Sequence, residues 1–202
     1  MSASQLDDLC ILVSQNDDAL AFEKIFNHFY RRLFLFAKAF LKSRESAEEV
    51  VSDVFLKLWQ NRDSLPAIKN LNYYLFVSCK HAALDYIEKK NKVPTINLDD
   101  LAVEFGEIAL NPEELFISTE LLMRIQQAIS ALPPKCKLIF RLIKEDGLKY
   151  REVAEMLNLS VKTVETQMSL ALSKIGGELL AANVFPHANL SRFGDDRLEQ
   201  EK

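Results

Sequence analysis

Glycine and proline are scarce, five and six among 202 residues, and strict apolar/polar alternation is close to absent along the chain. Together these exclude a sandwich or barrel built from many short strands and tight turns. Cysteine is also rare. Cys10, Cys79 and Cys136 stand far apart with no C-x-x-C pair, so neither a disulfide framework nor a cysteine-rich zinc site is expected. The three histidines, His28, His81 and His187, are scattered, and neither H-E-x-x-H nor a Gly-rich phosphate loop occurs, which leaves little support for an enzyme and no reason to expect a cofactor or metal. Long apolar runs are missing too. The longest, "LFLFAKAFL" at Leu33 to Leu41, is broken by Lys38 and is about half the ~20 residues a membrane span requires. With no basic stretch followed by an apolar leader, the expectation is a reduced, cytoplasmic protein that does not insert in a membrane.

An overall positive charge is lacking as well: the formal net charge is −4. The acidity is local, however. Residues 1–18 hold four acidic and no basic side chains, and residues 93–118 hold six acidic and none basic. In residues 19–92 Lys and Arg outnumber Asp and Glu by five, and in 119–180 by two. Both of these blocks carry the sign that a phosphate-facing surface needs.

What the chain does have is helical periodicity in both blocks, with nearly half its residues apolar, and the fold class expected is all-α. In the first block Phe22, Ile25, Phe26, Phe29, Tyr30, Leu33, Phe36, Ala37, Phe40 and Leu41 recur every three or four residues. A second helix is expected from "SAEEVV", with Ser46 as its cap and Glu49 reaching back, and Val50, Val51, Val54, Phe55, Leu58 and Trp59 as its core face. A third is expected over about 71–90, with Leu71, Tyr74, Leu75, Cys79, Ala82 and Tyr86 inward. Residues 93–118 lose the period and read as a flexible acidic linker. The second block carries Leu121, Leu122, Ile125, Ala128, Ile129 and Leu132, a break at Pro133-Pro134, then Leu138, Ile139, Leu142 and Ile143, with Gly147 placed to end that helix. Two small helical domains follow: 19–92 and 119–180, flanked by an N-terminal segment 1–18 and a tail 181–202 expected to be frayed.

The end of the second block, "REVAEMLNLSVKTVETQMSLALSKI", has the layout of a helix-turn-helix, with helices expected over about 150–157 and 161–175 and Gly176-Gly177 as the stop. At 100° per residue, Val164, Met168, Ala171 and Ile175 share an inner side. Lys162, Thr166, Ser169 and Ser173 lie opposite, short polar groups that would let the helix enter a major groove. Ser160 sits at the N-cap position, where the first backbone N–H groups can meet a phosphate. Lys135, Lys137, Arg141, Lys144, Lys149 and Arg151 could flank the groove. Leu170 and Leu172 fall off the inner stripe, and packing on another element or a partner protein would account for them.

The segments "AEEVVSDVFLKLWQ", "YYLFVSCKHAALDYIEKK" and "ALPPKCKLIFRLIKEDGLKYREVAEMLNLSVKTVETQMSLALSKI", in this order, resemble a bacterial RNA polymerase sigma factor of the extracytoplasmic-function group, in particular the iron-transport-regulator type. The likeness covers roughly residues 12–178. It implies a first block like sigma region 2, with Asp53, Lys57 and Gln60 toward core RNA polymerase (its β and β′ subunits). The connection Ser64 to Tyr73 would hold a flipped base of the minus 10 element, with Lys69, Asn70, Asn72 and Tyr73 around it and Lys80 and His81 along the adjoining DNA. Relatives often have Asn where His81 stands. The second block would be sigma region 4, reading the minus 35 element with Lys162, Thr163, Thr166, Gln167 and Ser169, and meeting phosphates through Ser160 and Arg151. Lys149 stands where relatives often cap with Ser or Thr, and Asn158 replaces a common Gly in the turn, where it tolerates the left-handed conformation. Partners implied are core polymerase, promoter DNA and a membrane-anchored anti-sigma factor. A competing reading is an autonomous helix-turn-helix regulator whose first block serves dimerisation.

Overall fold

The aromatic stripe of the first block lies along a single helix in the computed structural model of the chain, which describes residues 1–41, 43–91, 98 and 119–181. In chain order the helices are α1 (Ala3–Asn16), α2 (Ala19–Phe40), α3 (Arg44–Gln60), a 3-10 segment (Arg62–Ala67), α4 (Leu71–Asn91), α5 (Thr119–Ser130), α6 (Pro134–Lys144), α7 (Tyr150–Leu157) and α8 (Val161–Ala181). Among the described residues there is no strand, and no helix is long and apolar enough to cross a membrane. The acidic segment 93–118, Leu98 excepted, and the tail from residue 182 lie outside the described residues.

Helix α2 is the hub of the first block. Ile25, Phe29, Leu33, Phe36, Ala37 and Phe40 are buried against α3 and α4, and each large side chain removed from water contributes about 1.5–3 kcal/mol. Edge-on ring contacts fix the packing: Phe36 meets Phe76 of α4 with centroids 5.1 Å apart. Helix α3 buries Val50, Val51, Val54, Phe55 and Leu58 as its spacing requires. Its cap differs from expectation. Ser43, not Ser46, is the N-cap, accepting the Ser46 N–H at 3.2 Å. Ser46 is instead a buried residue inside the helix whose hydroxyl meets the Tyr86 hydroxyl at 2.9 Å.

Helix α4 is packed on more than one side, so its buried set is wider than one stripe and is displaced from the expected one. Phe76 and Ala83 are fully buried alongside Leu71, Leu75 and Cys79, whereas Tyr74, expected inward, is exposed. Helix α1 was not expected as an element. It opens with a capping box between Ser2 and Gln5, buries Cys10 and Val13, and packs on α2 and the 3-10 segment. A left-handed Asp17 (φ 52°) and the Asp18 carboxylate, which accepts the Leu20 and Ala21 N–H groups at 2.9 and 3.0 Å, turn the chain from α1 into α2.

The second block folds as expected through α7. Gly147, at φ 67°, turns the chain after α6 in a conformation only glycine adopts freely. The last helix runs past its expected stop, through Gly176 and Gly177 to Ala181, because Ile175 and Leu179 continue its contact with the cluster formed by Ala128, Ile129, Leu132 and Cys136. Two interior glycines weaken that extension. A Cβ built at Gly177 meets nothing within 4 Å, so Gly177→Ala is expected to raise stability by about 0.5–1 kcal/mol, read as a higher urea midpoint with an unchanged slope.

The two blocks do not stand apart in this structure. One continuous apolar cluster runs from α1–α4 into Leu138, Ile139 and Leu142 of α6, Leu148, Val153, Ala154, Met156 and Leu157 around α7, and Val164 and Met168 of α8.

Candidate nucleic-acid interface

Two helices and a tight turn set up the outer face of α8. Helix α7 opens at Lys149, whose N–H is accepted by the Glu152 carboxylate at 2.8 Å, and closes at Asn158 in the left-handed region (φ 54°, ψ 46°). The Leu159 N–H returns to the Ala154 carbonyl at 2.8 Å, which swings the chain into α8. There Ser160 caps the helix: its hydroxyl oxygen accepts the Thr163 N–H at 3.0 Å and lies 2.8 Å from the Thr163 hydroxyl. Val164, Met168, Ala171 and Ile175 are buried, and this fixes the rotation of the helix. Lys162, Thr166 and Ser169 are thereby exposed and Thr163 and Gln167 half-buried, so the five lie on or beside one surface.

Two details limit that surface. The Thr166 hydroxyl donates to the Lys162 carbonyl at 2.8 Å, leaving its lone pairs and methyl group outward. The Lys162 ammonium is 3.4 Å from Glu165, an exposed pair of little energetic weight that DNA could replace. Arg151 is exposed on α7. Arg141, proposed above to flank the groove, is only 6 % exposed and is paired with Glu145 at 3.2 Å, so it holds the domain together instead. Leu170 is 39 % exposed and Leu172 half-buried; neither belongs to the buried core.

The connection before α4 is shaped by the 3-10 segment and by Asn70. The Asn70 side-chain oxygen accepts the Tyr73 N–H at 3.1 Å, so this residue caps α4. Its amide donates to Glu152 of α7 at 2.7 Å. Asn72 donates to the Asp146 carbonyl at 2.5 Å and accepts from Arg32 at 3.0 Å. Partial burial and then a hydrogen bond with Glu155 raise the Tyr73 phenol above its ordinary value. Lys69, Asn70, Asn72 and Tyr73 are thus gathered at the start of α4, and the last three all engage the second block. Lys80 and His81 stand on the same helix about 15 Å further along. Lys80 is half-buried, which lowers its ammonium, and His81 is exposed.

On α3 the outward side carries Asp53, Lys57 and Gln60, all exposed. Between them lies Leu56, 54 % exposed, an apolar residue that falls outside the buried stripe of α3 and is therefore not marked by helical spacing. No group of His, Cys, Asp and Glu able to hold a metal ion occurs among the described residues.

Two sequence profiles match the chain in the order of its two blocks: Sigma-70 region 2 at residues 25–93 and Sigma-70, region 4 at residues 122–175, together more than half of it. The chain is 26 % identical over 158 residues to the ECF RNA polymerase sigma factor SigW of Bacillus subtilis (strain 168), covering 75 % of this chain and 84 % of that protein. It is 24 % identical over 187 residues to the ECF RNA polymerase sigma-E factor of Escherichia coli (strain K12), covering 89 % and 97 % respectively. A solved structure of CnrH in complex with the cytosolic domain of CnrY aligns at 20 % identity with a TM-score of 0.48, covering 89 % of this chain and 99 % of CnrH. The chain therefore belongs to the sigma-70 family: it is an extracytoplasmic-function sigma factor, a transcription initiation factor that directs promoter recognition.

Proposed function

We propose that residues 19–92 bind core RNA polymerase through the α3 face of Asp53, Lys57 and Gln60 and take up the minus 10 element through Lys69, Asn70, Asn72, Tyr73, Lys80 and His81. Residues 119–180 read the minus 35 element with Lys162, Thr163, Thr166, Gln167 and Ser169, while Ser160 and Arg151 meet phosphates. The observation that carries this reading is the surface of α8, a capped helix that exposes the short polar side chains of Thr166 and Ser169 with Lys162 at its entrance and Leu170 beside them. Such a helix enters a major groove readily but supplies few phosphate contacts, so its own affinity for DNA is low. Polymerase offsets that weakness by holding both domains and making each contact effectively intramolecular. An acidic chain can then recognise DNA. The working location is the cytoplasm, beside polymerase, and the expected regulator is a membrane-anchored anti-sigma factor, as for the iron-transport-regulator type.

Reconstituted transcription tests the assignment. Lys162→Ala and Thr166→Ala should lower initiation from a promoter with an intact minus 35 element by about five- to a hundredfold, the range of one or two kcal/mol-scale groove contacts, and should flatten the difference between minus 35 variants. Equal output across those variants in the unsubstituted protein would remove α8 as the reader. Tight, specific binding of duplex promoter by the chain without polymerase would favour an autonomous regulator instead.

A further inference from the structure

We propose that Leu170 is a specificity-determining residue of the minus 35 reader, selecting thymine by its C5-methyl group. This rests on the reading of α8 as that reader. Leu170 is 39 % exposed, and neither apolar cluster of the described residues includes it, so packing within the domain does not account for it. A single exposed leucine is ordinary, but this one stands among the groove-facing candidates. At about 100° per residue, Lys162, Thr163, Thr166, Gln167 and Ser169 spread over about 160° of the helix circumference, and Leu170 falls about 20° from the middle of that arc. Leu172 lies about 60° beyond its edge and is half-buried. Thr166 adds to the apolar character at Leu170. Its hydroxyl donates to the Lys162 carbonyl at 2.8 Å, which leaves its methyl group outward one turn before Leu170.

On the base edges of the major groove the one methyl group belongs to thymine, whereas guanine, adenine and cytosine present hydrogen-bond donors and acceptors. A leucine can bond to none of these. Against guanine, adenine or cytosine it takes polar atoms out of water without giving them a partner, which is unfavourable. Against thymine it covers methyl surface at a gain. The reach is suitable: four residues of helix rise about 6 Å, so Leu170 meets a base pair about two steps from the one under Thr166, at about 3.4 Å per pair. The next turns of that side carry Ser173 and Gly177, both exposed, and neither is large enough to hold Leu170 off the bases. Covering one methyl group corresponds to about a three- to fivefold preference.

The test is transcription by core polymerase reconstituted with the full chain, from a promoter pool randomised across the minus 35 element, each template carrying a transcribed barcode. Transcripts made with the unsubstituted protein should be enriched for thymine, on one strand, at a pair about two steps from the pair whose preference Thr166→Ala changes. Leu170→Ala should abolish that enrichment and leave the preferences set by Lys162 and Thr166 in place. The site is outside the core and alanine is a good helix former, so the fold is retained. Deoxyuridine in place of the selected thymine removes only the methyl group and keeps every hydrogen bond. It should lower initiation by the unsubstituted protein about three- to fivefold and leave initiation by Leu170→Ala unchanged. Thymine enrichment that survives Leu170→Ala, or a uracil effect of equal size in both proteins, overturns the proposal. So does a uniform drop across all minus 35 sequences, which would place Leu170 against a protein partner. Failure of the underlying reading is separable: output would then be indifferent to minus 35 sequence in every protein, Lys162→Ala and Thr166→Ala included.

Discussion

Val164→Asp should unfold the second domain, the largest stability effect expected of a single substitution in this chain. Val164 is 0 % exposed, one turn into α8, where it belongs to the cluster shared with Val153, Ala154 and Leu157 of α7. An Asp there must either bury a carboxylate or take up a proton, and no cation among the described contacts is positioned to pair with it from within that apolar set. A loss of about 4 kcal/mol or more is the expected scale for a buried unpaired charge, close to the whole stability of a small domain. Val164→Thr supplies the comparison. It keeps the shape and buries only a hydroxyl, which in a helix can bond to the carbonyl of residue 160 four positions back, so its loss should stay near 1–2 kcal/mol. Thermal unfolding followed by circular dichroism would order the two, and a native-like melt for Val164→Asp would contradict the burial of this position. Polymerase carrying the Asp variant should retain whatever minus 10 response α4 provides and lose dependence on minus 35.

Periodicity carried most of the fold and stopped where packing departs from a single stripe. The inner faces of α2, α3 and α8 were legible because each helix buries one side. Helix α4 was not, since it is packed by α2, α3 and α7 together and Phe76 is buried off the expected stripe. Helix α1 is hard to read from the sequence although Leu6, Leu9, Cys10 and Val13 keep three- and four-residue spacing, because Asp7 and Asp8 interrupt that stripe and no basic residue balances them. Gly176-Gly177 is a sound stop signal by local preference, overridden here by Leu179 packing on the second cluster. Ser43 out-competed Ser46 as a cap because burial of Val50 and Val51 fixes where α3 begins its inward face. Of the candidate interface, the α8 surface followed from helical geometry alone. The contact between the domains could not, because Arg32 and Asp146 are 114 residues apart and nothing in local spacing pairs them.

The largest functional loss is expected from Leu56→Asp, at a position the polar pattern of α3 conceals. Leu56 lies between Asp53, Lys57 and Gln60 on the exposed side, with 54 % of its surface in water. Scattered exposed leucines are ordinary, but on a face proposed to dock on polymerase this one has the character of a central anchor ringed by polar groups. Its burial in a complex would contribute about 1.5–3 kcal/mol. An Asp forfeits that and adds a desolvated charge, so the affinity for core polymerase should fall by about a hundredfold or more, at 1.4 kcal/mol per factor of ten. The isolated chain should hardly notice, because the site is outside the core and the change in helix propensity is about 0.5 kcal/mol. Asp53→Ala and Lys57→Ala, at the polar margin, should act mainly on the association rate and its salt dependence. Anisotropy titration of labelled protein with core polymerase at low and high salt separates these outcomes. If Leu56→Asp bound core polymerase like the unsubstituted chain, the outer side of α3 would lose its place as the polymerase contact, and Asp53, Lys57 and Gln60 with it.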